Sequence, residues 1–370
     1  MTHNDYPTWL EIDLSAVEQN ARYLIQSTGS ALLAAIKANA YGHGAVEIGK
    51  AALAGGAAWL GVARYSEAHS LRLAGITAPI LILGVLTPSE ITSAIAEDIT
   101  MALPSLELAD IVSAAARTLN KKAVVHMVVD TGMGRLGVLP KQALTLAKRI
   151  MASGTIELDG IFSHFAMSDF ENHPMMAQQL ANFNMVLDQL ASAGIQPKWV
   201  HHANTGATLA LPDARYNMVR AGQGVLGLNP FSYRSKPDEL KPALTAWKAR
   251  LISCKRLPKG WSVGYGAKYT TTQDEIIGVV SVGFGDGLRR VDGYEVLIGG
   301  QRVPVVGATC MDQIMVRLPK EFPLYEEVVI VGSQGNEMIT IEELATVCGT
   351  VHVDITTLIN QRVPRVYYHS

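Results

Sequence analysis

ALLAAIKANAYGHG, residues 31–44, opens with six apolar residues in a row and turns polar and glycine-rich directly after them. A short run that is apolar on both faces and ends in turn residues is what a strand of a helix-covered parallel sheet looks like. Seven more short β-branched or apolar runs follow, several of them also apolar on both faces: WLGVA near 59–63, PILILGV near 79–85, ITMALP near 99–104, AVVHMVVD at 123–130, IELDGIFSHF near 156–165, KWVHHAN at 198–204 and NMVRAGQGVLGL at 217–228. Alanine-rich stretches with apolar residues at helical spacing separate them. Eight βα units in about 200 residues predict an α/β fold, a (β/α)8 TIM barrel at the short end of its length range.

Upstream of the first run, Ser15 to Glu18 has the form of a capping box and predicts an initial helix. Downstream, NPFSYRSKPDELKP (229–242) breaks the rhythm with three prolines and marks a domain edge. Beyond it EIIGVVSVG, VPVVGA and EEVVIVG alternate with turn signals and no matching series of helices. This predicts a C-terminal, mainly antiparallel β domain with one helix at about 341–348, capped by Thr340 and Glu343. The expected division is residues 1–236 for the barrel and 237–370 for the β domain, the first ten or so residues being candidates to pack with the latter.

Lysine and arginine number 31 against 33 aspartates and glutamates, a net charge of −2, so the basic footprint of a nucleic-acid partner is missing. No apolar run approaches the eighteen or so residues that cross a bilayer, and the N-terminus is acidic where a signal peptide is basic. A cytoplasmic protein without a membrane partner is expected. Cys254, Cys310 and Cys348 show no metal-ligand or disulfide spacing, so neither a metal site nor a disulfide framework is expected.

Barrel chemistry gathers at the C-terminal ends of the strands. There the sequence places Lys37, the segment from Asp130 to Arg135, His164, Asn204-Thr205-Gly206 and Arg220-Ala-Gly222. Taken singly, each has an ordinary explanation as a surface lysine, a loop glycine or a packed side chain. Together, a partly desolvated lysine and a hydroxyl with glycine amides after strands seven and eight suit a carbonyl cofactor that carries a phosphate. Glycines 42 and 44 are expected to let the backbone approach a ligand closely. Two GxGxxG matches, at 132–137 and 222–227, keep a dinucleotide-binding dehydrogenase as an alternative, although neither lies in the first βα unit.

These residues resemble the alanine racemases, in the same order along nearly the whole chain. AAIKANAYGHG is similar to the family's cofactor-lysine segment, which implies pyridoxal 5′-phosphate held by Lys37, with Tyr41 as a phosphate contact. VDTGMGRLG implies Arg135 near the substrate carboxylate. GIFSHFAMSD supplies His164, HHANTGA supplies Asn204 and the phosphate contact Thr205, and NMVRAG supplies Gly222 and Arg220, which the family sets against the pyridine nitrogen. VGYGAKYT carries Tyr265, the second base opposite Lys37, and GATCMDQIMV carries the substrate-binding Met311 and Asp312. The resemblance further implies a homodimer with composite sites, an amino-acid substrate, and a supply of D-amino acids for peptidoglycan.

The chain departs from the family in three places. Val128 stands where many members carry a carbamylated lysine that orients the arginine, so Arg135 needs another partner, an anion or a different side chain. Gln361 and Phe284 replace two tyrosines near the entrance, which predicts a substrate range altered toward serine or larger amino acids. The competing readings are a decarboxylase of the same fold type and a non-catalytic cofactor-binding protein.

Overall fold

The structure, a computed structural model, describes residues 6–370. It divides into two compact units. One holds Ala16–Ala40 and Ala45–Lys241; the other holds the described residues up to Ser15, Tyr41–Gly44 and Pro242–Ser370. The part of the N-terminal segment before residue 6 lies outside the described residues.

The first unit is the barrel. After strand β1 (Thr8–Asp13), which belongs to the other unit, come β2 (Ala31–Ala35), β3 (Trp59–Val62), β4 (Ile80–Ile82), β5 (Thr100–Leu103), β6 (Ala123–Val128), β7 (Ile156–Phe162), β8 (Trp199–His201) and β9 (Met218–Ala221). All eight predicted runs are strands, and they pair in parallel in chain order, with β9 returning to the edge of β2. The Arg220 amide, donating to the Ala203 carbonyl at 2.9 Å, joins the two ends of the series. Leu33, Ala35, Trp59, Leu81, Ala102, Val128, Phe162 and Met218 fill the interior. Because strand side chains alternate faces, the next inward positions beyond Ala35, Phe162 and Met218 are Lys37, His164 and Arg220. The apolar fill is thus the floor beneath these polar groups.

The second unit holds β1 and ten further strands: β10 (Leu244–Leu257), β11 (Ser262–Val263), β12 (Tyr269–Thr270), β13 (Glu275–Val280), β14 (Glu295–Ile298), β15 (Gln301–Val306), β16 (Ile314–Leu318), β17 (Glu327–Gln334), β18 (Glu337–Ile339) and β19 (Arg365–Tyr368). Nine of them form one sheet in the order β18-β17-β14-β15-β16-β13-β10-β1-β19, and β17 also pairs with β10. Its pairs are antiparallel apart from β1 with β19.

Three local expectations need correction. The first helix starts at Leu14, one residue before the expected cap, and it is Asp13, not Ser15, whose side chain accepts an end amide, that of Ser15, at 2.8 Å. Thr340 does cap the helix Ile341–Val347, but the Glu343 carboxylate turns to Arg302 instead of completing the box. A second helix, His352–Leu358, follows it. Its sequence HVDITTL is rich in the β-branched residues that favour strands.

Candidate active site

Lys37 leaves the end of β2 into a left-handed turn. Ala38, Asn39, Ala40 and Tyr41 all have φ between 51° and 55°, a conformation that costs non-glycine residues about 1–2 kcal/mol each. Side chains hold it. The Ala38 amide donates to Glu67 Oε1 at 2.5 Å and the Ala45 amide donates to Asn39 Oδ1 at 2.9 Å. Glu67 also accepts from the amides of Ala63 and Arg64, at 2.8 and 3.0 Å, so one carboxylate ties the loop after β3 to the peptide following Lys37.

Gly42 and Gly44 are needed for a different reason from the one expected. A Cβ on Gly42 would lie 1.9 Å from the Thr356 carbonyl, and one on Gly44 would lie 1.8 Å from Tyr367 Oη. The close neighbour is the protein's own C-terminal segment. Arg365 donates to the Gly42 carbonyl through Nε and Nη2. Tyr41 shares this unit, and burial pushes its phenol up to about 12.

Within the barrel unit, the Lys37 amine is held below the ordinary lysine range, first by burial and then by the cations Arg135 and Arg220, with Glu67 opposing them. Arg220 is 5% exposed. Its Nη1 donates to His201 Nδ1 at 2.9 Å and to the His201 carbonyl at 3.0 Å. Its Nη2 donates to the Ser163 carbonyl at 2.7 Å and to His164 Nδ1 at 3.0 Å. Burial, with Arg135 second, lowers its guanidinium to about 9. His164 is held well below the usual imidazole range by burial and by Arg220, Arg135 and Lys37, so it is neutral and can accept from Arg220.

Thr205 Oγ1 accepts from the amides of both Gly222 and Gly224 at 3.2 Å. With its lone pairs engaged, its hydrogen remains to be donated. A Cβ on Gly224 would come within 2.9 Å of the Thr205 methyl, so the glycine keeps this cradle open. Asn204 Oδ1 accepts from the Ala207 amide at 3.1 Å and fixes the segment.

Arg135 is exposed, and its loop is wound on the first residue of the same segment, Asp130. Asp130 accepts the amides of Gly132, Met133 and Gly134 on Oδ1, and that of Arg135 on Oδ2. Burial works to raise this carboxyl, but the four amides outweigh it and lower its pKa. Two glycine amides of the first GxGxxG match, those of Gly132 and Gly134, are therefore occupied by the protein itself, which argues against the dinucleotide reading there. Val128 lies in the apolar floor with Trp59, Ala102 and Phe162 and offers Arg135 no polar partner.

In the β unit, Tyr265 is 71% exposed and Met311 56% exposed. Arg362 donates to Asp312 and to Asp286, each at 2.8 Å. The Phe284 amide donates to the Cys310 carbonyl and the Gly285 amide to the Met311 carbonyl, which ties these two loops together. The structure therefore gathers Lys37, Arg135, His164, Asn204, Thr205, Arg220 and Gly222 in one unit, and places Tyr41, Tyr265, Met311 and Asp312 in the other. Glu67, His201 and Arg362 were missed, and no local signal marks them. Asp130 opens the segment singled out at the strand end, but its part in winding the loop was not foreseen.

The family model described as alanine racemase, N-terminal domain, matches residues 12–230, and that described as alanine racemase, C-terminal domain, matches residues 244–367. An alanine racemase of Symbiobacterium thermophilum is 43% identical over 98% of this chain and 97% of its own. One from Geobacillus kaustophilus is 39% identical over 100% of this chain and 96% of its own. Among solved structures, alanine racemase from Streptomyces coelicolor superposes with a TM-score of 0.94 at 34% identity, covering 100% of both chains. That from Bacillus anthracis superposes at 0.93 and 37% identity, covering 98% and 95%.

Proposed function

Because this chain belongs to the alanine racemase family, we propose that it interconverts L- and D-alanine with pyridoxal 5′-phosphate as cofactor and with Lys37 and Tyr265 as opposed bases. The observation that carries this reading is the setting of Lys37. Its amine sits at the barrel mouth with a pKa lowered by burial and two arginines, which raises the neutral, nucleophilic fraction at physiological pH.

The residues present also fit the rest of the cofactor. Thr205, with a hydrogen to donate and glycines opening the space beside it, suits a phosphate oxygen, and Tyr41 is assigned to the same group. Arg220 has hydrogens to give and no lone pair, so it can face a ring nitrogen without protonating it. When bound, pyridoxal phosphate supplies an electron sink for the α-carbon of an amino acid. Racemisation then needs a base on each face: Lys37 Nζ takes or returns the α-proton on one side and Tyr265 Oη on the other. Arg135 binds the substrate carboxylate, with Met311 and Asp312 lining the substrate's side. His164, neutral and bonded to Arg220, holds that guanidinium in place. By donating without giving up its proton, Arg220 would leave the ring nitrogen unprotonated, which would keep that sink shallow and disfavour decarboxylation and transamination.

The exposure of Tyr265 supports a homodimer in which the β unit of one copy serves the barrel of another. Alanine is the substrate proposed. Phe284 and Gln361 motivated a wider range, but none of the relatives compared supports it.

The test is to follow D-product formation from L-alanine and L-serine with purified protein. Lys37→Ala is expected to abolish turnover together with covalent cofactor retention, and Tyr265→Phe to cut turnover by about 10²–10⁴-fold, the usual worth of a positioned general base. Cofactor-loaded protein that turns over neither amino acid would sink the reading.

A further inference from the structure

We propose that Asp159 is a positioning residue for Arg220, acting across the barrel interior through a hydrogen-bond chain of His201 and His126 that can run in only one direction. The inference rests on the reading of Arg220 as the cofactor's ring contact.

Among the described residues Arg220 forms no ion pair with a carboxylate; its partners are carbonyls and two imidazoles. A buried cation without a countercharge is costly. A guanidinium only donates, so His201 Nδ1 must present a lone pair and its hydrogen must sit on Nε2. That nitrogen lies 2.8 Å from His126 Nδ1, which must then accept, leaving the His126 hydrogen on Nε2. His126 Nε2 forms no hydrogen bond in the structure; the acceptor it faces is Asp159 Oδ2, 3.5 Å away at ion-pair distance, and a carboxylate only accepts. A donor-only group at one end and an acceptor-only group at the other impose the same direction on every link. Both rings are fully buried, so a reversed tautomer would set hydrogen against hydrogen with no water to relieve it.

Two features of β7 build the far end. The β6–β7 register steps from Val125↔Leu158 to His126↔Gly160, so Asp159 is the extra residue of a bulge, a device that re-aims a side chain. A Cβ on residue 160 would lie 2.6 Å from His126 Nδ1, so glycine there makes room for the ring. The walls are apolar: Trp59 packs on His126 and Phe162 stacks on His201. The titratable groups facing the chain are Arg220, His202 and Asp159. Burial lowers both imidazoles below their usual range, which favours the neutral rings the chain requires; Arg220 acts in the same sense on both, and on His126 Asp159 opposes it.

Selective ¹⁵N-histidine labelling of the full-length protein, with and without pyridoxal phosphate, reads these tautomers. Neutral His201 and His126, each with its hydrogen on Nε2 and unchanged from about pH 6 to pH 9, are expected for rings shielded from their normal titration. A hydrogen on Nδ1 of either ring, or a cationic His126, overturns the chain. Asp159→Leu removes the acceptor and Asp159→Asn only the charge. The Leu variant is expected to bind pyridoxal phosphate about tenfold more weakly, the scale on which partners one bond removed from a bound group act, with the Asn variant in between. Wild-type affinity in a folded Leu variant overturns the proposal; if that variant does not fold, wild-type affinity in the Asn variant does so. Failure of the wild-type protein to take up pyridoxal phosphate would instead defeat the functional reading, and the tautomers would still decide the chain.

Discussion

Glu67 shows how much one side chain can settle. It gives one oxygen to Ala38 and the other to Ala63 and Arg64, and its charge opposes the two arginines acting on Lys37. Glu67→Gln preserves the volume but offers one acceptor where two are used. It also removes a negative charge that favours the ammonium, so the Lys37 pKa should fall further. In cofactor-free protein labelled with an amine-selective reagent and read by peptide mass, the pH midpoint for Lys37 is expected below that of an ordinary lysine in the wild type and lower still in the variant. Equal midpoints would mean that Glu67 does not act on the amine. Nothing in YSEAHS announces this role, since the glutamate sits where a solvated helix face would also place one.

At the scale of elements, Arg302 on β15 is a junction. It reaches Glu295 on β14 at 3.2 Å, Glu337 on β18 at 3.1 Å and Glu343 on the following helix at 2.5 Å. The hydrogen bond from Arg302 is the main reason that the Glu343 carboxyl titrates below its usual range. A depressed folded pKa stabilises the fold above the unfolded value, about 4.3, and is lost as pH falls through the folded one. Arg302→Met should therefore cost about 1–2 kcal/mol at pH 7, allowing for screening of these half-exposed pairs, and much less at pH 3. Thermal melts at both values decide this; an equal loss at pH 3 would assign the effect to packing of the arginine stem. The strands themselves were legible because the barrel runs are short and β-branched or apolar, several of them on both faces. The helix His352–Leu358 was not, because its β-branched residues are overruled by tertiary packing, which buries Ile355 and Thr356.

Across the whole molecule, legibility followed sequence distance. Lys37, His164 and Arg220 could be found because each lies two residues beyond an inward apolar position of its own strand. His126, His201 and Asp159 are joined only by strand neighbourhood and a bulge, which no local pattern encodes. Tyr265 could be picked out only through resemblance to a family, and its 71% exposure leaves open to experiment which barrel it serves. Mixing answers that question. If the two bases of a site come from different copies, a Lys37→Ala subunit paired with a Tyr265→Phe subunit has one site with both native residues and one with neither. After unfolding and refolding the two inactive variants together in equal amounts, half the dimers should be mixed, each with one of its two sites intact. Activity should then return to about a quarter of the wild-type level, as expected for random pairing in a twofold dimer. No recovery, with mixed dimers demonstrated by native mass spectrometry, would mean that both bases of a site come from one chain.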